Sequence, residues 1–350
     1  MNGDLYANAM VSSLSVQRVF RDAIPSFSDY SQTAHRQNDH GAAGFCSAAT
    51  CDPNHKWITW NTPFLQRDTR ERTHHTLGYD LTARGFAAGI TRLLGDSAFI
   101  GLAAGYDSRE QKARDNYFQK LNADTFHSAI YGGAALGHFD VDVYAGYSWS
   151  SKRTHRFVPK NAIWYSVNNN ANFNDGIWSS GIKGSYTWIL PSDFRIVSTV
   201  GIDYSYLHQN EIQEQVKGTG SHRNRLTIDS ADYHSVQTPV TLAINKTFAS
   251  DFLNLGGIAS LWTPEVRAGW IPQFGSKHAS VNATTYDVET HTPYSFVSQS
   301  AAIGGVSHGT VGAGLKIQIK DRFTLGIDYD YRFGKDYRSH VLAGTCGISF

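Results

Sequence analysis

The stretch FTLGIDYDYRFG, residues 323–334, alternates strictly between two kinds of side chain. Phe323, Leu325, Ile327, Tyr329, Tyr331 and Phe333 fall on one face; Thr324, Gly326, Asp328, Asp330, Arg332 and Gly334 fall on the other. Period-two alternation marks a β-strand with one apolar and one polar surface. This one runs well past the common strand length of about 5–6 residues. HFDVDVYAGYSW (138–149), GIWSSGIKGSYTWIL (176–190) and TVGAGLKIQIK (310–320) repeat the pattern. In each, the polar face collects acids, bases, glycines and hydroxyls, while the apolar face often ends in an aromatic ring. A barrel in lipid needs that division, with apolar residues facing hydrocarbon, aromatic girdles at the interfaces and a wet lumen. Closure is compulsory, because an open sheet edge in hydrocarbon would strand backbone polar groups.

Extending the reading over the chain predicts an all-β fold, a transmembrane 12-stranded antiparallel barrel. The approximate strand spans are 56–65, 76–94, 97–110, 121–137, 139–156, 172–190, 194–213, 228–249, 259–275, 305–320, 322–334 and 337–350. Turns after the second, fourth, sixth and tenth strands are tight; connections after the first, third, fifth, seventh and ninth are long and polar. The stretch near 250–258 is long for its class and GKDY at 334–337 is short. An even strand count puts both barrel ends on the short-turn side, periplasmic in such proteins.

Composition agrees. Charged residues make up 17% of the 350, and Gly, Tyr, Phe and Trp are plentiful beside few Met and Pro. Net charge is +1 and the isoelectric point about 7.8, so no global basic field exists to hold nucleic acid. Mean hydropathy is -0.35 and no apolar run approaches the ~20 residues of a membrane helix. MNGDLYANAMVSSL has neither a basic n-region nor an apolar h-region, so it does not read as a secretory signal. That leaves a cytoplasmic protein or the downstream part of a longer precursor.

Ahead of the strands, DLYANAMVSSLSVQRVFRDAI (4–24) contains good helix formers and is followed by Pro25. At ~1.5 Å per residue it would just span a ~30 Å bilayer if threaded through a pore. Its apolar residues form no single clean stripe, and Arg18, Arg21 and Asp22 gather at its end. We divide the chain into a pore-threading helix (1–25), a flexible linker rich in Ser, Asn, His and Gly (26–54), and the barrel (55–350).

Helix, linker, twelve strands and a terminal Phe together resemble the C-terminal translocator β-barrel domain of the autotransporters, the type V secretion proteins of Gram-negative bacteria. The segments carrying the resemblance are GYDLTARGFAAGITRLLGDSAFIGLAAGY, AIYGGAALGHFDVDVYAGYSWSSKRTHR, LWTPEVRAGWIPQF and FTLGIDYDYRFGKDYRSHVLAGTCGISF. It implies a bacterial outer-membrane protein that exports an N-terminal passenger to the cell surface. It also implies a monomer without enzymatic activity or cofactor, whose partners are outer-membrane lipid, the barrel assembly machinery, periplasmic chaperones and its own passenger. In that family the last strand is an insertion signal with alternating apolar residues before a final aromatic, matched here by Leu342, Cys346, Ile348 and Phe350. A subgroup cleaves itself at an asparagine of the pore helix; Asn8 is the nearest residue, and that subgroup's Asn-Asn doublet is absent.

Inward projection of the polar faces puts Lys183, Arg195, Asp203, Glu265, Arg267, Lys316, Asp328 and Asp330 in the lumen. They serve either as pore lining in mutually satisfying pairs or as groups that grip the helix through Arg18, Arg21 and Asp22. GDSA (95–98) resembles a lipase serine block, but Ala98 departs from it and the segment fits turn chemistry. Among fifteen histidines, His40, His55, His74 and His75 match no zinc spacing. Of three cysteines, Cys46 and Cys51 are close enough to close a small loop as a disulfide or to stay free, and Cys346 falls on the lipid face. Two alternatives share the pattern: a stand-alone porin, which has no use for the helix, and an outer-membrane hydrolase, which needs Ser, His and an acid on one rim.

Overall fold

The computed structural model of the chain describes residues 3–27, 57–73, 76–95, 97–114, 118–158, 167–217, 225–250, 260–275, 278–286, 292–300, 307–319 and 322–350. One helix, α1 (Asp4–Asp22), precedes the strands β1 (Trp57–Arg70), β2 (Tyr79–Leu93), β3 (Ala98–Ala113), β4 (Gln119–Leu136), β5 (Phe139–Val158), β6 (Val167–Ile189) and β7 (Phe194–Gln209). Short strands follow: β8 (Ile212–Gln213), β9 (Gln215–Lys217), β10 (Thr227–Ile228), β11 (Ala231–Gln237), β12 (Val240–Lys246) and β13 (Phe248–Ser250). The chain ends with β14 (Ser260–Phe274), β15 (Ser280–Tyr286), β16 (Pro293–Gln299), β17 (Ser307–Ile319), β18 (Phe323–Gly334) and β19 (Tyr337–Ser349).

Twelve antiparallel staves close into a barrel, with β11, β12 and β13 forming one interrupted stave between β7 and β14. The single strand expected over 228–249 breaks at Thr238 and Pro239, because proline has no N–H for the ladder. Register carries through the break: Val236 faces Phe274 and Val240 faces Trp270. β6 begins at Val167, earlier than the alternation suggested, since asparagines at 168–170 and 172 are poor strand formers by propensity. They extend all the same, paired to β5 and then to β9.

The seam forms between β19 and β1, with Ile58 opposite Ser349. Trp57 N donates to Phe350 O at 3.0 Å and Phe350 N to Trp57 O at 2.8 Å. The final residue therefore closes the sheet. At the turn end, Gly137 adopts φ +68° to join β4 to β5, a left-handed conformation open to glycine without Cβ strain. Burial alternates along the staves, and on β18 the outward residues are the apolar set of the opening stretch.

At the opposite, long-loop end, a second sheet in the order β16-β15-β10-β8 forms a cap. The connection after β14 was expected to be a polar loop, yet it holds the β15–β16 hairpin. Its alternation is hidden among Ser, Thr and Asn: Val281 and Ala283 share the buried face with the polar Thr285 and Ser298. Ile212, Leu226, Ile228, Val281 and Ala283 pack on Leu5, Tyr6, Met10 and Val11 of α1 as a core between cap and helix.

Candidate functional site in the barrel lumen

α1 lies inside the barrel, and every residue from Asp4 to Arg21 is buried. This explains the missing stripe, because a helix surrounded by wall on all sides needs no solvent face. Small inward residues admit it. Ala83, Ala87, Ala103 and Ala129 line β2 to β4, and a Cβ at Gly105 would sit 2.7 Å from the Phe20 ring. Phe20 stacks on His127 with centroids 4.6 Å apart and planes at 12°. His127 in turn bridges Asp107 and Ser148, each at 2.7 Å. This Ser-His-Asp trio is buried, with Phe20 stacked on its imidazole, and does not border the cavity beside the end of α1.

Polar contacts run along the whole helix. At its start, Leu77 N donates to Asp4 Oδ2 at 2.9 Å and Asn8 Nδ2 donates to Leu77 O at 3.0 Å. The Asn8 amide is thus a structural tie to the segment before β2. Tyr6 Oη donates to Glu214 Oε1 at 2.6 Å. Glu214 also receives Arg156 Nε at 2.7 Å and Nη2 at 2.5 Å, so this buried carboxylate joins cap, helix and wall. About two turns further on, Ser13 donates to Asp175 at 2.8 Å and accepts from Arg109 at 2.7 Å. Lys152 pairs with Asp175 and reaches Ala9 O at 3.2 Å. Ser15 donates to Asp68 at 2.6 Å and accepts from Gln66 at 2.8 Å, while Gln17 donates to Ser179 at 2.8 Å.

The three helix residues singled out from the sequence all meet the wall. Arg18 Nη1 lies 2.9 Å from His308 Nε2, Arg21 Nη1 3.0 Å from Asp203 Oδ2, and Asp22 accepts from Arg332 at 2.8 Å and from Arg21 at 2.8 Å. Of the eight wall charges expected in the lumen, Asp203 alone makes one of these ion pairs. Lys183, Glu265, Arg267, Lys316, Asp328 and Asp330 instead border a cavity of about 460 Å³ beside the end of α1. Arg195 is buried near the start of β7.

On the cavity wall, Arg267 holds Asp330 through two bonds of 2.9 and 3.0 Å, Asp328 at 2.9 Å and Glu265 at 3.3 Å. Arg267 on β14 reaches across β17 to β18 because Gly312 stands between them, where a Cβ would sit 2.9 Å from Arg267 Nε.

Sequence reasoning missed Asp68, Arg109, Lys152, Asp175, Glu214 and His308. Alternation along β3, β5 and β6 turns Arg109, Lys152 and Asp175 inward, and that was the available signal. Glu214 lies between β8 and β9, outside the barrel strands, and offered none. Ser97 sits in the turn before β3, its carbonyl accepting from Ala135 N at 2.7 Å. Among the described residues no cluster of His, Cys, Asp and Glu could hold a metal ion. His40, His55, His74, His75, Cys46 and Cys51 lie outside the described residues, as does most of the 26–54 linker. Leu342, Cys346, Ile348 and Phe350 are exposed on the outer face of the seam.

A closed twelve-stranded antiparallel barrel with a helix in its lumen defines the class of outer-membrane translocator barrels. The autotransporter beta-domain profile matches residues 59–330, and the chain belongs to that family. Its fold is similar to the translocator domain of the autotransporter NalP from Neisseria meningitidis. That likeness has TM-score 0.63 and 12% identity, covering 99% of this chain and 100% of that one. It is also similar to the beta domain of the Bordetella autotransporter BrkA, with TM-score 0.59 and 16% identity over 84% of this chain and 100% of that one. Outer membrane protein A of Rickettsia conorii is 20% identical over 304 residues, 85% of this chain and 14% of that protein. The chain thus spans a small part of the curated relative's length. Family and closed barrel place it in the bacterial outer membrane.

Proposed function

We propose that this chain carries an N-terminal passenger across the outer membrane and keeps α1 in the lumen afterwards, without catalysing a reaction. One observation supports the reading most directly: α1 enters beside the cap, where Gly3 N donates to Ser298 Oγ at 2.9 Å, and the chain leaves it toward the turn end, where Phe27 N donates to Asp142 at 2.8 Å. A segment joined ahead of α1 would therefore emerge at the long-loop end, which is extracellular in barrels of this kind. The driving force in this reading is passenger folding outside and ratcheting of the chain. The buried contacts along α1 oppose its backward slip. The barrel assembly machinery and periplasmic chaperones would deliver the chain, with the Phe350 strand as the signal read during insertion.

The test is surface display. A Sec signal and an epitope tag are placed ahead of Met1, and intact Gram-negative cells are treated with external protease. Loss of the tag with a heat-modifiable barrel left in the outer membrane is the expected result. A tag protected in the periplasm beside a folded barrel would overturn export and favour a stand-alone channel.

A further inference from the structure

The outward face of the seam changes character abruptly near its long-loop end. Leu342, Leu65 and Phe86 are exposed apolar residues, and the next outward positions are His340 and Arg338 on β19, Arg67 on β1 and Arg84 on β2, all exposed. Register puts them together: Arg67 faces His340, Arg84 faces Leu65, and Arg338 faces Thr69. Neighbouring strands lie ~4.8 Å apart and strands rise ~3.3 Å per residue, so the three arginines occupy a patch about 10 Å wide across the strands and about 13 Å tall, from the level of Leu65 to that of Thr69. His340 Nδ1 lies 2.7 Å from Tyr329 Oη, and Tyr331 and Phe333 flank it as part of an aromatic belt. Aromatic belts mark the level of lipid headgroups.

Nearby acids are engaged elsewhere. Asp80 receives Arg114 at 3.0 Å and the Thr69 hydroxyl at 3.1 Å, and Glu110 pairs with Lys112 at 2.7 Å and with Lys120. Arg67, Arg84 and Arg338 form no ion pair with any described carboxylate. Across the barrel, the corresponding belt on β7 and β11 is self-satisfied. There Asp232 takes Tyr206 at 2.7 Å and His208 at 2.8 Å, and His234 pairs with Tyr204 at 2.8 Å. Exposed Arg153 and His155 lie at the same level farther round, on β5, and the three arginines gathered at β19, β1 and β2 are grouped on the seam itself.

We propose that Arg67, Arg84 and Arg338, with His340 at their edge, bind the phosphate groups of an anionic lipid headgroup in the outer leaflet. Guanidinium forks match phosphate oxygens in a bidentate way, and the exposed leucines and Phe86 below would take the acyl chains. Bound at β19, β1 and β2, such a lipid would staple the closing seam from outside. Site and ligand both follow from the outer-membrane setting and do not depend on passenger export.

The test uses the refolded full chain in phosphatidylcholine vesicles doped with a phosphorylated glycolipid, with the same glycolipid after dephosphorylation, or with phosphatidylglycerol. The lipid kept by the barrel on repurification is measured. The expected result is selective retention of a phosphate-bearing anionic lipid, falling about tenfold or more in the R67Q/R84Q/R338Q variant. It should stay unchanged in Arg92→Gln, an exposed arginine at the other end of β2. Retention of the glycolipid alone, or of phosphatidylglycerol as well, identifies the source. Equal retention by the triple variant, an equal fall in Arg92→Gln, or equal retention of the dephosphorylated glycolipid would overturn the proposal. Heat-modifiable migration confirms that each variant has folded.

Discussion

The wall around α1 and the wall around the cavity beneath it solve the same charge problem in opposite ways. Around the helix, Lys152, Asp175, Arg109 and Glu214 are buried almost completely, and their partners include atoms of α1 itself. Around the cavity, Arg267 is 24% exposed and Asp328 37%, and that cluster is completed by the wall alone. Buried ions lose water and depend on every partner they have, whereas half-exposed ones keep part of their hydration. The first wall is therefore matched to one helix in one position. The second remains a polar lining whatever lies beside it.

Breaking the buried wall should have the largest effect. Lys152→Ala leaves Asp175 buried without its cation and is expected to cost about 3–5 kcal/mol in chemical unfolding of the barrel in lipid vesicles. Replacing both partners, as in Lys152→Met with Asp175→Leu, should cost less than either single change. A double variant worse than both singles would mean that the pair is not the coupled unit described. Next in size is Glu214→Ala, which removes four charge-assisted bonds, from Tyr6, Arg156 twice and Leu226 N, and leaves Arg156 buried. A loss of about 2–3 kcal/mol is expected, with the cap opening to external protease while the barrel stays resistant. Protease resistance equal to the parent would show that apolar packing on Leu5 and Met10 holds the cap alone.

Changes at the end of α1 probe the boundary between the two walls. Arg21→Ala with Asp22→Ala cuts the ties to Asp203 and Arg332 and should cost about 1–3 kcal/mol. Single-channel recordings in planar bilayers should show more frequent and larger openings as the last turn loosens, and a silent, closed barrel would place the seal at the cap. The smallest stability effect belongs to the cavity wall. Arg267→Gln should cost about 1 kcal/mol or less, because Glu265, Asp328 and Asp330 keep access to water. It should also shift any residual conductance toward cations, since three carboxylates lose their shared cation. A stability loss as large as that of Lys152→Ala would erase the distinction between the walls.

Much of this molecule was legible in the chain because lipid and water impose period two on each stave separately. FTLGIDYDYRFG needs no neighbour to declare its outward Phe323, Leu325 and Ile327, and alternation along β3, β5 and β6 carried the same signal for Arg109, Lys152 and Asp175, though these three were not read from it. Where that constraint relaxes, reading fails. The Asn-rich start of β6 and the β15–β16 hairpin lie at the long-loop end, where alternation need not be apolar against polar, and the Pro239 break leaves register intact and so leaves no mark on the pattern. The sequence by itself determined barrel, strand direction, inward charges and a helix ahead of them, since each follows from local periodicity or composition. Only the tertiary structure decided which charge meets which: that Arg267 crosses Gly312 to Asp330, that Glu214 from a loop meets Tyr6 and Arg156, and that α1 is gripped along its length. Those pairings depend on barrel closure and register, which bring together residues tens to hundreds of positions apart at distances that no local pattern encodes.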